Sequence, residues 1–449
     1  MMLKQLLFPE IKELIDRKDW RTLKDILANW QLPDVADLLE TLDESDRVIV
    51  FRLLNKEHAA EIFSEIEPDV QQELVEQLSN ENIRQIISEL SPDDRTELFE
   101  DMPGQITQQL LKLLTPEDRK ETLGLLGYPE DSAGRLMTPN YVALLPNWTI
   151  EEALKHIRKS GRDAETLDML YVTDKDEILL DDIPLRRVIL TDLKASVKSI
   201  MDWSFIAINA TEDQEEAARM MKHYNLTALP VIDEKGVLLG IVTVDDILDV
   251  IEEEVTEDLH KSASVVPLDM SYTATSSWGL YRRRITWLSL LALAGFFSSS
   301  VIAAFESTLS AIVALAFFIP VLIDSGGNTG SQSATMVIRA ISIGELTLGK
   351  WFSVIKKEII VGLMLGTSLG LILFLWGTFW KGGGQIGLVV GISMITIIFI
   401  SNLLGSLLPI ILTKLKLDPA VVSSPLITTV IDATGLLIYF SIARLILKI

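Results

Sequence analysis

The chain has 449 residues, a net charge of −23 and no cysteine. Residues 281–449 carry 12 basic and 6 acidic residues, which leaves 28 basic and 57 acidic residues, a net of −29, in residues 1–280. Such acidity argues against nucleic acid as a partner, because the phosphates would be repelled. The lack of cysteine excludes a disulfide framework and thiolate zinc sites.

The first 130 residues contain a repeat of period 12. Two adjacent apolar residues and a third three positions later recur seven times, from Leu38/Leu39/Leu42 to Leu110/Leu111/Leu114. This spacing places the three on one helical face, and the Ser91-Pro-Asp-Asp and Thr115-Pro-Glu-Asp segments supply helix starts. We predict an N-terminal α-solenoid of helices of 8–10 residues over 1–130. Glu10 and Glu13 argue against a signal peptide, so we expect a cytoplasmic N-terminus.

Two copies of a β-α-β-β-α pattern follow. The second is clearer, with an apolar run over 205–208, a helix from Asp213 to Tyr224, strands at 228–232 and 240–244, and a helix opening at Asp245-Asp246. The first has a helix over 149–159 and a strand over 169–173, but its hairpin lacks the usual glycine. The pattern resembles a tandem CBS pair, with copies at 131–195 and 196–250.

A strongly acidic helix is predicted over 245–262, inside a connecting segment at 245–280. Five apolar stretches follow in a membrane domain over 281–449: 285–305, 309–338, 358–379, 386–412 and 424–446. Each approaches or exceeds the ~20 residues that span a bilayer. Basic residues in alternate loops place the soluble domains in the cytoplasm and the C-terminus outside. The fold class is multidomain, α plus α/β.

Asp432 lies in the middle of the fifth apolar stretch, with Thr428 four residues earlier on the same helical face. A carboxylate at the centre of a bilayer costs about 2.5–3.5 kcal/mol on insertion scales, so it should face water or a partner. The alternative is a structural role, in which Asp432 pairs with another side chain and holds the helix bundle together. We predict that Asp432 and Thr428 line an ion path.

The second apolar stretch contains Pro320, Asp324, Gly326, Gly327, Asn328 and Gln332. Adjacent glycines with a nearby proline predict a kink or an unwound turn at Gly326–Gly327, where freed carbonyls line a cavity. Close helix packing is the alternative use of such small residues. We predict Gly327 and Asn328 as further pore residues.

Carboxylate, amide and backbone oxygens suit Mg²⁺, Ca²⁺ or Mn²⁺ and not soft metals. All four histidines lie in the soluble part, so no histidine–metal centre is expected in the membrane. One membrane aspartate per chain provides little charge for binding a divalent ion. This favours a symmetric dimer that brings two such aspartates together.

The domain order, the Gly326–Thr335 run and the run from Asp418-Pro-Ala to Asp432-x-x-Gly435 resemble the MgtE family of bacterial magnesium channels. The resemblance covers nearly the whole chain. It implies a multi-pass protein of the bacterial inner membrane, a homodimer with its pore between two five-helix units, and Asp432 as the main ion ligand. It also implies that the acidic helix is a plug that closes the pore when cytoplasmic Mg²⁺ is high.

By motif position, the resemblance implies regulatory Mg²⁺ ligands in the soluble domains and on the plug helix. They are Glu61, Asp93, Glu97, Asp213, Glu215, Asp246, Asp249, Glu254, Glu257 and Asp258. Asn225 stands where the family often has an acidic residue, so one bridging site is expected to be weaker or absent. Tandem CBS domains often bind adenine nucleotides, so ATP is a further candidate ligand.

Enzymes and anion channels fit the sequence less well. An intramembrane metalloprotease needs an HExxH pair in a span, and no span contains histidine. A chloride channel would need more spans, with its CBS pair after them. A transporter or exporter of another divalent cation, Mn²⁺ or Co²⁺, regulated by CBS-domain nucleotide binding, stays open.

Overall fold

The protein was analysed as a computed structural model, which describes residues 2–162, 164–268, 272, 275–342, 345–346, 349, 351–419 and 424–448. Its contacts divide the chain into two compact units. The first is Met1–Glu254 with Asp269–Ala274, and the second is Val255–Leu268 with Thr275–Ile449.

The N-terminal part of the first unit is built of short helices, as the 12-residue repeat predicts. They are α1 (Met2–Asp16), α2 (Trp20–Leu27), α3 (Leu32–Thr41), α4 (Glu44–Phe51), α5 (Lys56–Ser64), α6 (Pro68–Gln77), α7 (Asn80–Glu89), α8 (Pro92–Asp101), α9 (Gly104–Leu113) and α10 (Pro116–Leu125). The repeated apolar positions form one continuous core. Helices of this length are too short to be stable alone, so this shared core holds them.

Side-chain caps start several of these helices. The Ser91 hydroxyl accepts a hydrogen bond from the Asp94 backbone N–H at 3.3 Å, and the Thr115 hydroxyl accepts one from the Asp118 N–H at 3.1 Å. Both caps were predicted from the Ser-Pro and Thr-Pro segments. They fix where each helix begins, and hence which acidic side chains lie in its first turn.

The CBS-like copies each contain a three-stranded sheet in which the first strand pairs parallel to the second and the second antiparallel to the third. The strands are β1 (Ala143–Leu144), β2 (Met169–Thr173), β3 (Leu179–Pro184), β4 (Ile208–Asn209), β5 (Ala228–Ile232) and β6 (Leu238–Thr243). The helices are α11 (Ala133–Leu136), α12 (Ile150–Ser160), α13 (Leu185–Ile189) and α14 (Gln214–Tyr224), with a 3₁₀ turn at Val197–Ile200.

Two details of this pair differ from the sequence interpretation. The apolar run at 205–208 forms a strand only from Ile208. The hairpin of the first copy closes without glycine, because Glu177 adopts a left-handed φ of 62° where the second copy has Gly236 at 83°. The two hairpins meet through a bridge between Ile178 and Val237.

The acidic helix is α15 (Val244–Ser262), close to the predicted 245–262, and it crosses the boundary between the two units. Among its described residues, the membrane unit then contains five helices long and apolar enough to cross a bilayer, as predicted. Its elements are α16 (Ser277–Ala304), α17 (Glu306–Ala311), a 3₁₀ segment (Val313–Phe318), α18 (Ile319–Ser342), α19 (Trp351–Gly377), a π-helical turn (Thr378–Gly382), α20 (Gly383–Lys414) and α21 (Ser424–Leu447).

The predicted break at Gly326–Gly327 is wrong, because α18 is continuous from Ile319 to Ser342. Pro320 lies in its first turn, where a missing N–H costs no hydrogen bond. A Cβ at Gly326 would lie 2.7 Å from the Ile397 side chain. The glycines therefore allow close helix packing, which was the alternative interpretation.

Candidate ion-binding sites

Three helices of the membrane unit, α18, α20 and α21, pack closely at glycines. A Cβ at Gly405 of α20 would lie 2.2 Å from the Gly330 carbonyl oxygen of α18, and a Cβ at Gly330 would lie 2.3 Å from the Ile431 side chain of α21. Only glycine fits such crossings. The packing fixes how α18 and α21 present their polar residues.

Gly327 and Thr428, two of the predicted pore residues, lie against each other. A Cβ at Gly327 would be 2.9 Å from Thr428 Cγ2. The Thr428 hydroxyl donates to the Ser424 carbonyl oxygen at 2.9 Å. Since Asp432 is one turn further along α21, the small residue on α18 places the polar face of α21 beside that helix.

Asp432 has a buried oxygen without a partner. Its side chain is half-buried, and Oδ1 forms no hydrogen bond within the part of the chain that the structure describes. A buried carboxylate oxygen without a donor or a cation carries its full desolvation cost. Such an oxygen is suited to accept a ligand that carries positive charge.

A polar stripe runs along one face of α18. It is formed by Asp324, Asn328, Gln332 and Thr335, all four of them exposed. Their spacing of four, four and three residues keeps them on one helical face. Asn328 Nδ2 donates to Asp324 Oδ2 at 3.1 Å. Lipid cannot satisfy such groups, so this face requires water or protein against it. Asp324 was not among the predicted site residues, although this periodicity marks it.

Carboxylates of α8 and α15 lie close together in the first unit. Asp93 is only 8% exposed, and its Oδ1 has no hydrogen-bond partner in the described chain. Burial, and then the nearby Asp93 charge, raises the pKa of Asp246. Asp246 Oδ2 also accepts from the backbone N–H and the hydroxyl of Thr243, so it caps the start of α15. The sequence predicted both aspartates as regulatory ligands, and the structure brings them together.

Other acids extend this cluster. Burial raises the pKa of Glu97 to about 8, with Asp101 and Asp94 as further causes. Burial also raises the pKa of Asp249, helped by Asp245. All these carboxylates repel one another when ionised. Since Glu97 and Asp249 keep an exposed side, water screens part of that repulsion.

Two members of the cluster were missed from the sequence. Burial, with Asp93 and Asp94, raises the pKa of Glu165 to about 7. Burial, with Asp101 and Asp249, raises the pKa of Glu253 to about 7. Glu165 lies in an irregular loop of the first CBS-like copy, so no periodicity marks it. Glu253 lies on the acidic helix, and its proximity to Asp101 is known only from the folded structure.

The remaining predicted ligands have other surroundings. Asp213 caps α14, where its Oδ1 accepts from the Glu215 backbone N–H at 2.8 Å. Glu254 Oε1 accepts from Gln214 Nε2 at 2.8 Å. Glu61 is exposed on α5. The contact between Glu254 and Gln214 ties α15 to α14 by a hydrogen bond without a cation.

Glu257 and Asp258 belong to the second unit. Lys261 Nζ contacts Glu257 Oε1 at 2.7 Å and Asp418 Oδ2 at 2.8 Å. The Ser342 hydroxyl donates to Asp258 Oδ2 at 3.4 Å. Burial, then the Asp418 charge, raises the pKa of Asp258. The C-terminal end of α15 thus contacts the last residue of α18, Ser342, and the segment that follows α20 at Asp418.

No group of three or more His, Asp or Glu side chains is arranged to hold a metal ion within the described residues. The acidic cluster is therefore an electrostatic assembly and not a preformed coordination shell. Asn225, where an acid was expected, has a left-handed φ of 53° and caps the end of α14. Asparagine tolerates that conformation better than most residues.

Comparison with known proteins gives matches along most of the chain. Family models match at residues 319–442 (MgtE, divalent cation transporter), 30–131 (MgtE intracellular N domain), and 133–189 and 197–253 (CBS domain). The magnesium transporter MgtE of Thermus thermophilus is 42% identical over 98% of both chains. That of Enterococcus faecalis is 35% identical over 98% of this chain and 97% of its own.

Solved structures match the soluble part. The cytosolic domain of the Mg²⁺ channel MgtE in complex with ATP is 38% identical, with a TM-score of 0.53. It covers 54% of this chain and 100% of its own. The soluble part of a magnesium transporter is 27% identical, with a TM-score of 0.52, and covers 56% of this chain and 99% of its own.

Proposed function

The chain belongs to the MgtE family of divalent cation transporters, and from that premise we propose that it carries Mg²⁺ across the membrane along α18 and α21. The unpartnered buried Oδ1 of Asp432 is the observation that carries this proposal. Mg²⁺ prefers oxygen ligands and keeps much of its water. Asp432, with Asn328 and Thr428, would then contact a partly hydrated ion, and Gly327 would give Thr428 the space to lie beside α18.

A homodimer is part of the proposal. The polar stripe of α18 is exposed in a single chain, and a second copy would cover it and add a second Asp432 to the path. The soluble domains would lie in the cytoplasm and the C-terminus outside, as the positive-inside rule predicts.

The acidic cluster would sense cytoplasmic Mg²⁺. Burial and mutual repulsion oppose ionisation of Asp93, Asp246 and Glu97. A divalent ion among them would offset that repulsion and favour the arrangement in which they are close. Because α15 continues from this cluster into the membrane unit, its position would couple ion binding to closure of the path.

Nucleotide binding is a second proposal. The relative's cytosolic domain was solved in complex with ATP, and the CBS family model matches this chain twice, at 133–189 and 197–253. Titration of the detergent-solubilised chain with ATP tests it, and an absence of saturable binding at millimolar ATP would refute it.

Uptake into proteoliposomes tests the permeation proposal. Asp432→Asn and Asp432→Ala should abolish Mg²⁺ uptake measured with an internal fluorescent indicator. Glu306→Gln, which removes an exposed acid of α17, should keep it. Normal uptake by both Asp432 variants would contradict the assignment. Faster transport of Mn²⁺ or Co²⁺ in competition would favour the other divalent cations as substrates.

A further inference from the structure

Three polar side chains from three different membrane helices meet in the bundle. Glu358 of α19 accepts a hydrogen bond at Oε2 from Asn402 Nδ2 of α20, at 2.7 Å, and another from the Ser333 hydroxyl of α18, at 3.2 Å. Asn402 and Ser333 are 3% and 4% exposed. Neither Glu358 nor its partners belong to the ion path proposed above.

The donors in this network are fully used. Asn402 Nδ2 also donates to the Glu358 carbonyl oxygen at 2.8 Å, so both amide hydrogens go to one residue. The Ser333 hydroxyl has the Asn402 carbonyl oxygen at 3.1 Å as its other acceptor. Glu358 carries the carboxylate of this network, and its Oε2 is within hydrogen-bond distance of both Asn402 Nδ2 and the Ser333 hydroxyl. Removing this carboxylate would leave a buried amide hydrogen without an acceptor.

The network lies beside the crossing of α18 and α20 at Gly330 and Gly405. Ser333 is three residues after Gly330, which contacts Gly405, and Asn402 is three residues before Gly405. Glycine contacts allow close approach but leave rotation and sliding of a helix poorly fixed, because they have no directional bonds. The hydrogen bonds of Ser333 supply that direction.

The opposite side of α18 carries the polar stripe. Asn328 is five residues before Ser333, and at 3.6 residues per turn the two side chains point about 140° apart. A rotation of α18 that breaks the Ser333 contact would therefore turn Asn328 and Asp324 away from their present direction.

We propose that Glu358 is a positioning residue for the ion path, which through Ser333 and Asn402 fixes the rotation of α18. This inference rests on the proposed function only where it predicts a change in flux. The rotation itself is testable without transport.

A cross-link between α18 and α21 measures that rotation. The Ser331 and Ser424 hydroxyl oxygens lie 2.9 Å apart, and the chain has no cysteine. The double variant Ser331→Cys/Ser424→Cys should therefore form an intramolecular disulfide with copper phenanthroline, measured as loss of free thiols in a maleimide–polyethylene glycol gel shift.

Glu358→Leu should slow this cross-linking and Mg²⁺ uptake by about tenfold, the equivalent of about one buried hydrogen bond. Glu358→Gln should keep both near the parent rates, because its amide oxygen still accepts both donors. Ser333→Ala removes only the α18 hydroxyl and should also slow cross-linking and Mg²⁺ uptake. This variant tests the inference even if Glu358→Leu fails to fold. The matched control is Ser300→Ala, which removes a hydroxyl that donates within α16, to the Phe296 carbonyl oxygen.

Unchanged cross-linking in folded Glu358→Leu and Ser333→Ala would overturn the inference. Equal losses in Glu358→Gln and Glu358→Leu would also overturn it, since the charge and not its acceptor role would then matter. Slower cross-linking with normal uptake would support the positioning role and refute the path along α18.

Discussion

Asp93→Asn is a direct perturbation of the acidic cluster. The substitution keeps the shape of the side chain and removes the charge of a residue that is 8% exposed. Burial raises the pKa of the Asp93 carboxyl from the ordinary 3.8 to about 6. At 1.36 kcal/mol per pH unit, holding this carboxylate ionised in the folded protein costs about 3 kcal/mol.

The sign of the pH dependence follows from this raised pKa. The folded state holds the Asp93 proton more tightly than the unfolded state, so protonation of Asp93 stabilises the fold. This contribution is complete below pH 3.8 and is lost as the pH rises through about 6. Without divalent cations, Asp93→Asn should therefore stabilise α8 and α15 at pH 8 and change them little at pH 4. With Mg²⁺ bound, α8 and α15 should instead be less stable in Asp93→Asn than in the wild type, because the variant loses a ligand for the ion.

Hydrogen exchange of the full chain in detergent measures the local stability of α8 and α15. In EDTA at pH 8, amides of α8 and α15 should exchange up to about 100-fold more slowly in Asp93→Asn, which is the equivalent of about 3 kcal/mol. Asp25→Asn, which removes an exposed acid on α2, should leave them unchanged. Faster exchange in Asp93→Asn under these conditions would refute the account of repulsion in the cluster.

Three further predictions concern other contacts. Mg²⁺ binding should release protons near pH 7, because the pKa of Glu97 is raised to about 8; calorimetry in buffers of different ionisation enthalpy measures this, and equal heats would contradict it. Lys261→Met should speed hydrogen exchange at the C-terminal end of α15, because it removes the ion pair with Asp418; Lys261→Arg should retain protection, and loss in both variants would argue against the pair. Gly405→Leu should prevent assembly of the bundle, whereas Gly295→Leu, with no atom within 4 Å of its Cβ position, should give monodisperse protein; a monodisperse Gly405→Leu would refute the packing.

Periodic features were predictable from the sequence. The solenoid helices, the CBS-like copies, α15 and the five spans follow from local patterns, because the spacing of apolar residues determines which face is buried. The hairpin of the first copy was harder to interpret, since Glu177 adopts a conformation that glycine usually takes.

Features that depend on distant residues were not predictable. Glu358 lies 25 residues from Ser333 and 44 from Asn402, so no local pattern marks their network. Gly326 and Gly327 were wrongly expected to break α18, because glycine serves both unwinding and close packing, and only the neighbouring helices decide between them. The grouping of Glu165 with Asp93 likewise requires the tertiary fold.

Inhibition of Mg²⁺ uptake by Mg²⁺ on the side of the soluble domains tests the central claim most directly. The wild-type rate should fall as that concentration rises, and Asp246→Asn/Asp249→Asn should need at least about tenfold more Mg²⁺ for the same inhibition, the equivalent of about 1.4 kcal/mol of lost binding. Asp25→Asn should match the wild type. Inhibition of the double variant at the wild-type concentration would contradict the claim that the acidic cluster closes the path.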